Sequence, residues 1–195
     1  MGDEKFIDLK KEISLSKYII VEGADLNGKS SIVDWINRTY NYQIYKEDMP
    51  YKSRLNADYN GYLYYKKLVE ILPSQSVIDR FHIGEAVNPI VRKDGRNPLT
   101  WSEIISIEEN IRHQTLLITC ITDQETIRDN FMTRGEEIAK LEDFKYLNYL
   151  YAHFHELSSI KNKVIFNYMN DKNYDQIKTI IDHFMMDALQ EVIMI

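Results

Sequence analysis

The chain has 195 residues, 24 Lys+Arg against 30 Asp+Glu, a formal charge of −6, 44% hydrophobic residues and a mean hydropathy of −0.41. These values fit one globular core and exclude a disordered polymer; the acidic balance disfavours a grip on duplex DNA through many phosphates. No apolar run reaches the roughly 18 residues of a membrane span. The charged start MGDEKFIDLKKE does not read as a signal peptide, and Phe6 stands where a myristoylation signal has Ser or Thr. The expected location is the cytoplasm. The single cysteine, Cys120, reads as a buried reduced thiol in the run TLLITCIT. Only 7 Gly and 4 Pro leave little room for a linker, so residues 1–195 are expected to form one domain.

In chain order, Tyr18 to Glu22 (YIIVE) reads as a buried strand, followed by a glycine turn and the helix-like SSIVDWINRTY. Tyr42 to Tyr45 is a weaker strand. Tyr62, Tyr65, Leu68, Val69 and Leu72 recur at helical spacing from about Asp58, and Pro73 ends that helix. Ser76 to Asp79 (SVID) is a third strand. Trp101 to His113 reads as a helix, Thr115 to Thr122 as a β-branched strand, and Thr126 to Arg134 and Leu141 to Leu157 as helices. Lys163 to Tyr168 is the fifth strand, and Ile177, Ile180, Ile181, Phe184 and Ala188 give the last helix one apolar face. Such alternation predicts a parallel sheet covered by helices on both faces, a three-layer α/β/α fold.

The strongest chemical signal is Gly23-Ala24-Asp25-Leu26-Asn27-Gly28-Lys29-Ser30, which fills every fixed position of G-x4-G-K-[ST] between a strand and a helix. Its glycines allow a tight wrap that turns successive N–H groups toward one point, and the helix start adds positive potential there. This is a nucleotide site. Gly23, Asn27, Gly28, Lys29, Ser30 and Ser31 are expected to cradle ATP, with Lys29 reaching the β- and γ-phosphates and the Ser30 hydroxyl ligating Mg²⁺. The variable positions carry no Arg or Lys, so further positive charge must come from elsewhere in the chain.

The run VEGADLNGKSS resembles the P-loop of the thymidylate kinase family, whose members carry an acidic residue where Asp25 stands. Asp79-Arg80-Phe81 after the third strand is similar to the D/E-R-x motif of that family and of the related deoxynucleoside kinases. TDQETIRDNFMTRGEE resembles the family's lid segment, here about 126–142, and LEDFKYLNYLYAHF the helix after it. The pattern DRFHIGE looks like bacteriophage members. The resemblance implies a P-loop NTPase-type fold with a five-stranded parallel sheet and a helical lid, and it favours a homodimer. It also implies that Asp25 contacts an acceptor sugar hydroxyl.

Beside the resemblance, Asp79 at a strand's carboxyl end is placed to orient an acceptor or hold a Mg²⁺-bound water, and Arg80 to clamp an acceptor phosphate. Each also reads as half of a strand-end ion pair. Arg134 is the candidate lid charge; Arg128 reads equally as a solvated helix position. Phe81 and Tyr65 lie in segments that flank an acceptor cleft, with Tyr62 and Trp101 as further aromatic candidates. His82 and Glu85 read either as pocket residues or as a pair on a helix surface. Lys46 to Pro50 keeps a Glu and a Pro but not the Arg-Glu-Pro spacing usual in thymidylate kinases.

The expected function is ATP- and Mg²⁺-dependent phosphoryl transfer to a deoxynucleoside monophosphate such as dTMP. Alternatives are a nucleoside acceptor, a hydroxymethylated pyrimidine as nucleotide or in DNA, and a nucleotide-binding protein without transfer. DNA is not the expected partner but stays open. A viral chain would act in the host cytoplasm.

Overall fold

The computed structural model describes residues 17–46, 54, 58–93, 95–134, 140–167, 169 and 171–193. Five strands, Tyr18–Glu22 (β1), Gln43–Lys46 (β2), Ser76–Asp79 (β3), Thr115–Cys120 (β4) and Asn162–Phe166 (β5), form one parallel sheet in the order β2-β3-β1-β4-β5. The helices are Lys29–Tyr40 (α1), Gly61–Ile71 (α2), Ile83–Arg92 (α3), Trp101–Glu108 (α4), Gln124–Arg134 (α5), Asp143–Leu157 (α6) and Asp171–Ile193 (α7). This is the parallel α/β architecture that the alternation of strands and helices predicts.

Alternation along β1 divides the core. Ile19 and Val21 face one side, with Ile32, Val33 and Ile36 of α1 and Ile177, Ile181 and Phe184 of α7. Tyr18 and Ile20 face the other, with Tyr65 and Leu68 of α2, Ile83 and Val87 of α3, Ile104 of α4 and Phe144 and Leu147 of α6. Strands β1, β3 and β4 are buried throughout, as their unbroken apolar runs require. The outer strands β2 and β5 are half exposed, with Ile44 and Ile165 open to solvent.

Several boundaries shift inward from the sequence reading, while α1, β2, α5 and β5 each gain a residue or two at one end. The helix from Trp101 stops at Glu108 and continues as turns, and β4 stops at Cys120. Thr100 and Glu103 start α4 as a reciprocal capping box. Helix α3 is absent from the chain-order reading; it contains Gly84 and Pro89, both poor helix formers. Pro89 cannot donate to the carbonyl of Glu85, and the N–H of Leu99 takes that carbonyl instead at 3.2 Å. No helix among the described residues is long and apolar enough to cross a membrane.

Candidate active site

Strand order reverses beside β1, so the carboxyl ends of β1, β3 and β4 open onto the crevice where sheets of this kind take ligands. The loop from Gly23 to Gly28 fills that crevice. Gly23 has φ +139°, and a Cβ there would lie 2.4 Å from the carbonyl oxygen of Cys120. Gly28 caps α1 in the left-handed region at φ 78°. Leu26 also has positive φ, and its carbonyl accepts from Asn130 Nδ2 of α5 at 3.0 Å. Asn27 is buried and donates to Asn148 Oδ1 of α6 at 2.6 Å, while Asn148 Nδ2 donates to the carbonyl of Thr122 at 3.0 Å. Ser30 and Ser31 stand exposed in the first turn of α1. Cys120 lies beneath the loop, fully buried, and burial pushes its thiol up to about 12.

The charged side chains converge on Asp25. Lys29 Nζ donates to the Ala24 carbonyl at 2.7 Å and lies 3.4 Å from Asp25 Oδ1. Arg80 bonds the same oxygen, and Arg92 Nη2 stands 3.7 Å from Oδ2. Partial burial alone would raise the Asp25 carboxyl, but Lys29, Arg80 and Arg92 outweigh it and hold the group below the usual carboxylate range. Burial and the neighbouring Arg80 push Lys29 down. Arg80 has φ 71°, costly for a residue with a Cβ, and its N–H donates to Val21 at 3.0 Å while its side chain stays half exposed.

Asp79 is buried at the end of β3. Its Oδ2 lies 3.8 Å from Lys46 Nζ, and its Oδ1 has no hydrogen-bond partner among the described residues. Asp25, Lys29, Arg80 and Asp79, found separately in the sequence, therefore meet in one place, with the Ser30 hydroxyl exposed at the start of α1.

Two expected ligand-contacting rings do not. Tyr65 and Phe81 are 0% and 1% exposed and pack edge to face at 5.0 Å inside the core, so neither presents a face to a base. His82 and Glu85 are likewise not a surface pair. His82 Nε2 donates to Glu108 at 2.8 Å in full burial, and Glu108 also accepts from Ser158 and Ser159. Glu85 is held by Arg54 and Arg96. Tyr62 shares a 3.2 Å hydrogen bond with Ser106, and Arg128 is exposed. Arg134 ends α5; residues 135–139 of the expected lid, and the Glu47 to Pro50 segment after β2, lie outside the described residues.

Sequence reasoning missed Glu22, Arg92, Asn130 and Asn148. A glutamate ending an apolar parallel strand was a signal for the first, since such strand ends face the crevice. Nothing in the spacing marked the other three.

Neither the protein-family models nor the curated proteins give a match to this sequence. Solved structures do resemble the fold. The YorR protein from Bacillus subtilis, in complex with phosphorylated GDP, aligns with a TM-score of 0.71 at 21% identity, over 90% of this chain and 98% of that one. Polyphosphate kinase 2 from Arthrobacter aurescens TC1 aligns at 0.60 and 14%, over 97% and 76%. Deoxyadenosine kinase from M. mycoides with bound dATP aligns at 0.54 and 18%, over 85% and 99%.

Proposed function

We propose that the chain is an ATP- and Mg²⁺-dependent kinase that passes the γ-phosphoryl group to a deoxynucleoside monophosphate of the thymidylate type. The observation that carries this is Arg80, held in a left-handed backbone conformation beside the P-loop, opposite Lys29 and bonded to Asp25. Strain of that kind persists where the surroundings over-determine a residue, and here it aims a guanidinium at the loop.

In this reading Lys29 leaves Asp25 for the β- and γ-phosphates, and the N–H groups of the loop and of the α1 start bind the donor. Asp25 orients the acceptor sugar and Arg80 its phosphate. The Ser30 hydroxyl and Asp79 would hold the cation, and the buried, unpartnered Oδ1 of Asp79 fits that use. A bound Mg²⁺ neutralises charge on the transferring group. Catalysis is then positioning and electrostatics, with Arg134 and the 126–142 segment supplying closure and charge. The same reading takes residues 1–195 as one kinase domain acting in the cytoplasm on small nucleotides.

The likeness to a deoxyadenosine kinase favours, as second reading, transfer to a nucleoside hydroxyl. Labelled ATP offered with dTMP, thymidine, deoxyadenosine, hydroxymethyl-dUMP and an oligonucleotide separates the two. Transfer to dTMP is the expected result. Turnover of a nucleoside but of no monophosphate would overturn the first reading, and ATP binding without any transfer would overturn both.

A further inference from the structure

We propose that one buried water bridges Glu22 Oε2 and the Tyr151 hydroxyl beside Gly84, and that through it α6 helps to hold the turn that carries Arg80. Glu22 is fully buried at the end of β1. Its Oε1 accepts the N–H groups of Phe81 and Ile83, whereas its Oε2 has no hydrogen-bond partner among the described residues. Tyr151 is buried on α6, and its hydroxyl stands 3.5 Å from Asn88 Nδ2, the long limit of a hydrogen bond. The same amide group gives the Gly84 carbonyl a bond of 2.9 Å. Burial pushes the Tyr151 hydroxyl well above its ordinary range, so it keeps its proton, and that proton needs an acceptor.

Gly84 marks where the bridge lies. A Cβ built there would stand 3.4 Å from Asn88 Nδ2, 3.5 Å from the Tyr151 hydroxyl and 3.8 Å from Glu22 Oε2, so the closest groups it meets are all polar. Buried space walled by apolar atoms stays dry, but space walled by two to four polar groups takes a water. Water both gives and takes hydrogen bonds, so it serves Glu22 as carboxylate or as carboxyl. The φ of Gly84 is not positive, so the backbone does not call for glycine, and alanine is the better helix former. A water beside the bare Cα accounts for the residue. Gly84 follows Arg80 by four positions, and Glu22 and Tyr151 both favour the charged form of that guanidinium. Glu22 already fixes the backbone at Phe81 and Ile83; the bridge adds α6 to that hold.

The test is the order of thermal midpoints of the wild type, Gly84→Ala and Gly84→Ser. The three distances leave room for a methyl group, and helix propensity alone would put Gly84→Ala highest. With a water at the site, the methyl displaces it and strands Glu22 Oε2 and the Tyr151 hydroxyl, so Gly84→Ala should melt below the wild type. Gly84→Ser brings its own hydroxyl to the same atoms and should melt above Gly84→Ala. In a Tyr151→Phe background the loss from Gly84→Ala should shrink. A crystal structure of the wild type should show one water bonded to both atoms. Gly84→Ala as the most stable of the three, or a direct bond between Glu22 and Tyr151 in the crystal, would overturn the bridge. The hold on Arg80 rests on the kinase reading and is tested by transfer from labelled ATP. Tyr151→Phe should raise the KM for the monophosphate at least about threefold while ATP binding stays within about twofold, and an equal loss for both would overturn that part. Failure of the kinase reading shows separately, as wild-type protein that transfers nothing, and leaves the bridge to stand or fall on the melts.

Discussion

Glu22 Oε1 accepts the backbone N–H groups of Phe81 and Ile83, each at 3.0 Å. One carboxylate oxygen thus joins the end of β1 to the start of α3, across the turn that holds Arg80. Burial pushes this carboxyl above the usual range despite His82 and the N–H donors that favour its charged form. Replacing it with alanine strands two buried donors, so Glu22→Ala should lower stability by roughly 2–5 kcal/mol in urea unfolding. Glu22→Gln keeps an acceptor oxygen and should cost far less. Equal losses in both variants would show that the bonds to α3 are not what the residue contributes.

Lys29 is buried and sits on Ala24 and Asp25 without joining either core cluster. Lys29→Ala should cut phosphoryl transfer by at least roughly 10²–10³-fold, the loss typical of one positioned donor, while the thermal midpoint changes little. Transfer at the wild-type rate in that variant would remove the lysine from the proposed chemistry.

His155 Nδ1 is 2.8 Å from Thr119 Oγ1 in a buried site, and burial with the adjacent Lys163 holds its pKa below the ordinary 6.5. The unfolded chain therefore takes up this proton at higher pH than the folded one. Stability should fall as pH drops below about 6.5 toward the folded pKa and be fully present above it. The thermal midpoint should decrease between pH 7.5 and 5.5, and His155→Gln should flatten that decrease. An unchanged slope would assign the effect to other groups.

Gly23 offers a steric test of the loop. A methyl group there meets the Cys120 carbonyl, and the φ of +139° is itself hostile to a side chain. Gly23→Ala should destabilise the protein by more than about 2 kcal/mol and weaken ATP binding together, measured by thermal melts with and without ATP. A stable variant with normal ATP binding would mean that the loop can shift off β4.

The contrast between Lys29 and Phe81 shows what was legible. The P-loop could be read because its chemistry lies in consecutive residues between a strand and a helix, and the buried strands because parallel sheets need unbroken apolar runs. Asp79 and Arg80 were readable from their place at a strand end. Phe81 and Tyr65 were misassigned because an aromatic near a cleft and an aromatic beneath it have the same local sequence. Only the edge-to-face packing of the two rings decides between them. Arg92 was invisible for another reason. Its meeting with Asp25 spans 67 residues of sequence and depends on a proline-containing helix whose lost hydrogen bond is made good by Leu99.

Asn148 gives the loop a property that its own residues do not. One carboxamide accepts from the P-loop at Asn27 and donates to the carbonyl of Thr122, just past β4, so loop tip, strand exit and α6 share a single pin. The side chain must both give and take a hydrogen bond, which neither aspartate nor leucine can do in its place. A ligand that reshapes the loop therefore pulls on α6. By the same reciprocity, whatever steadies α6 steadies the loop.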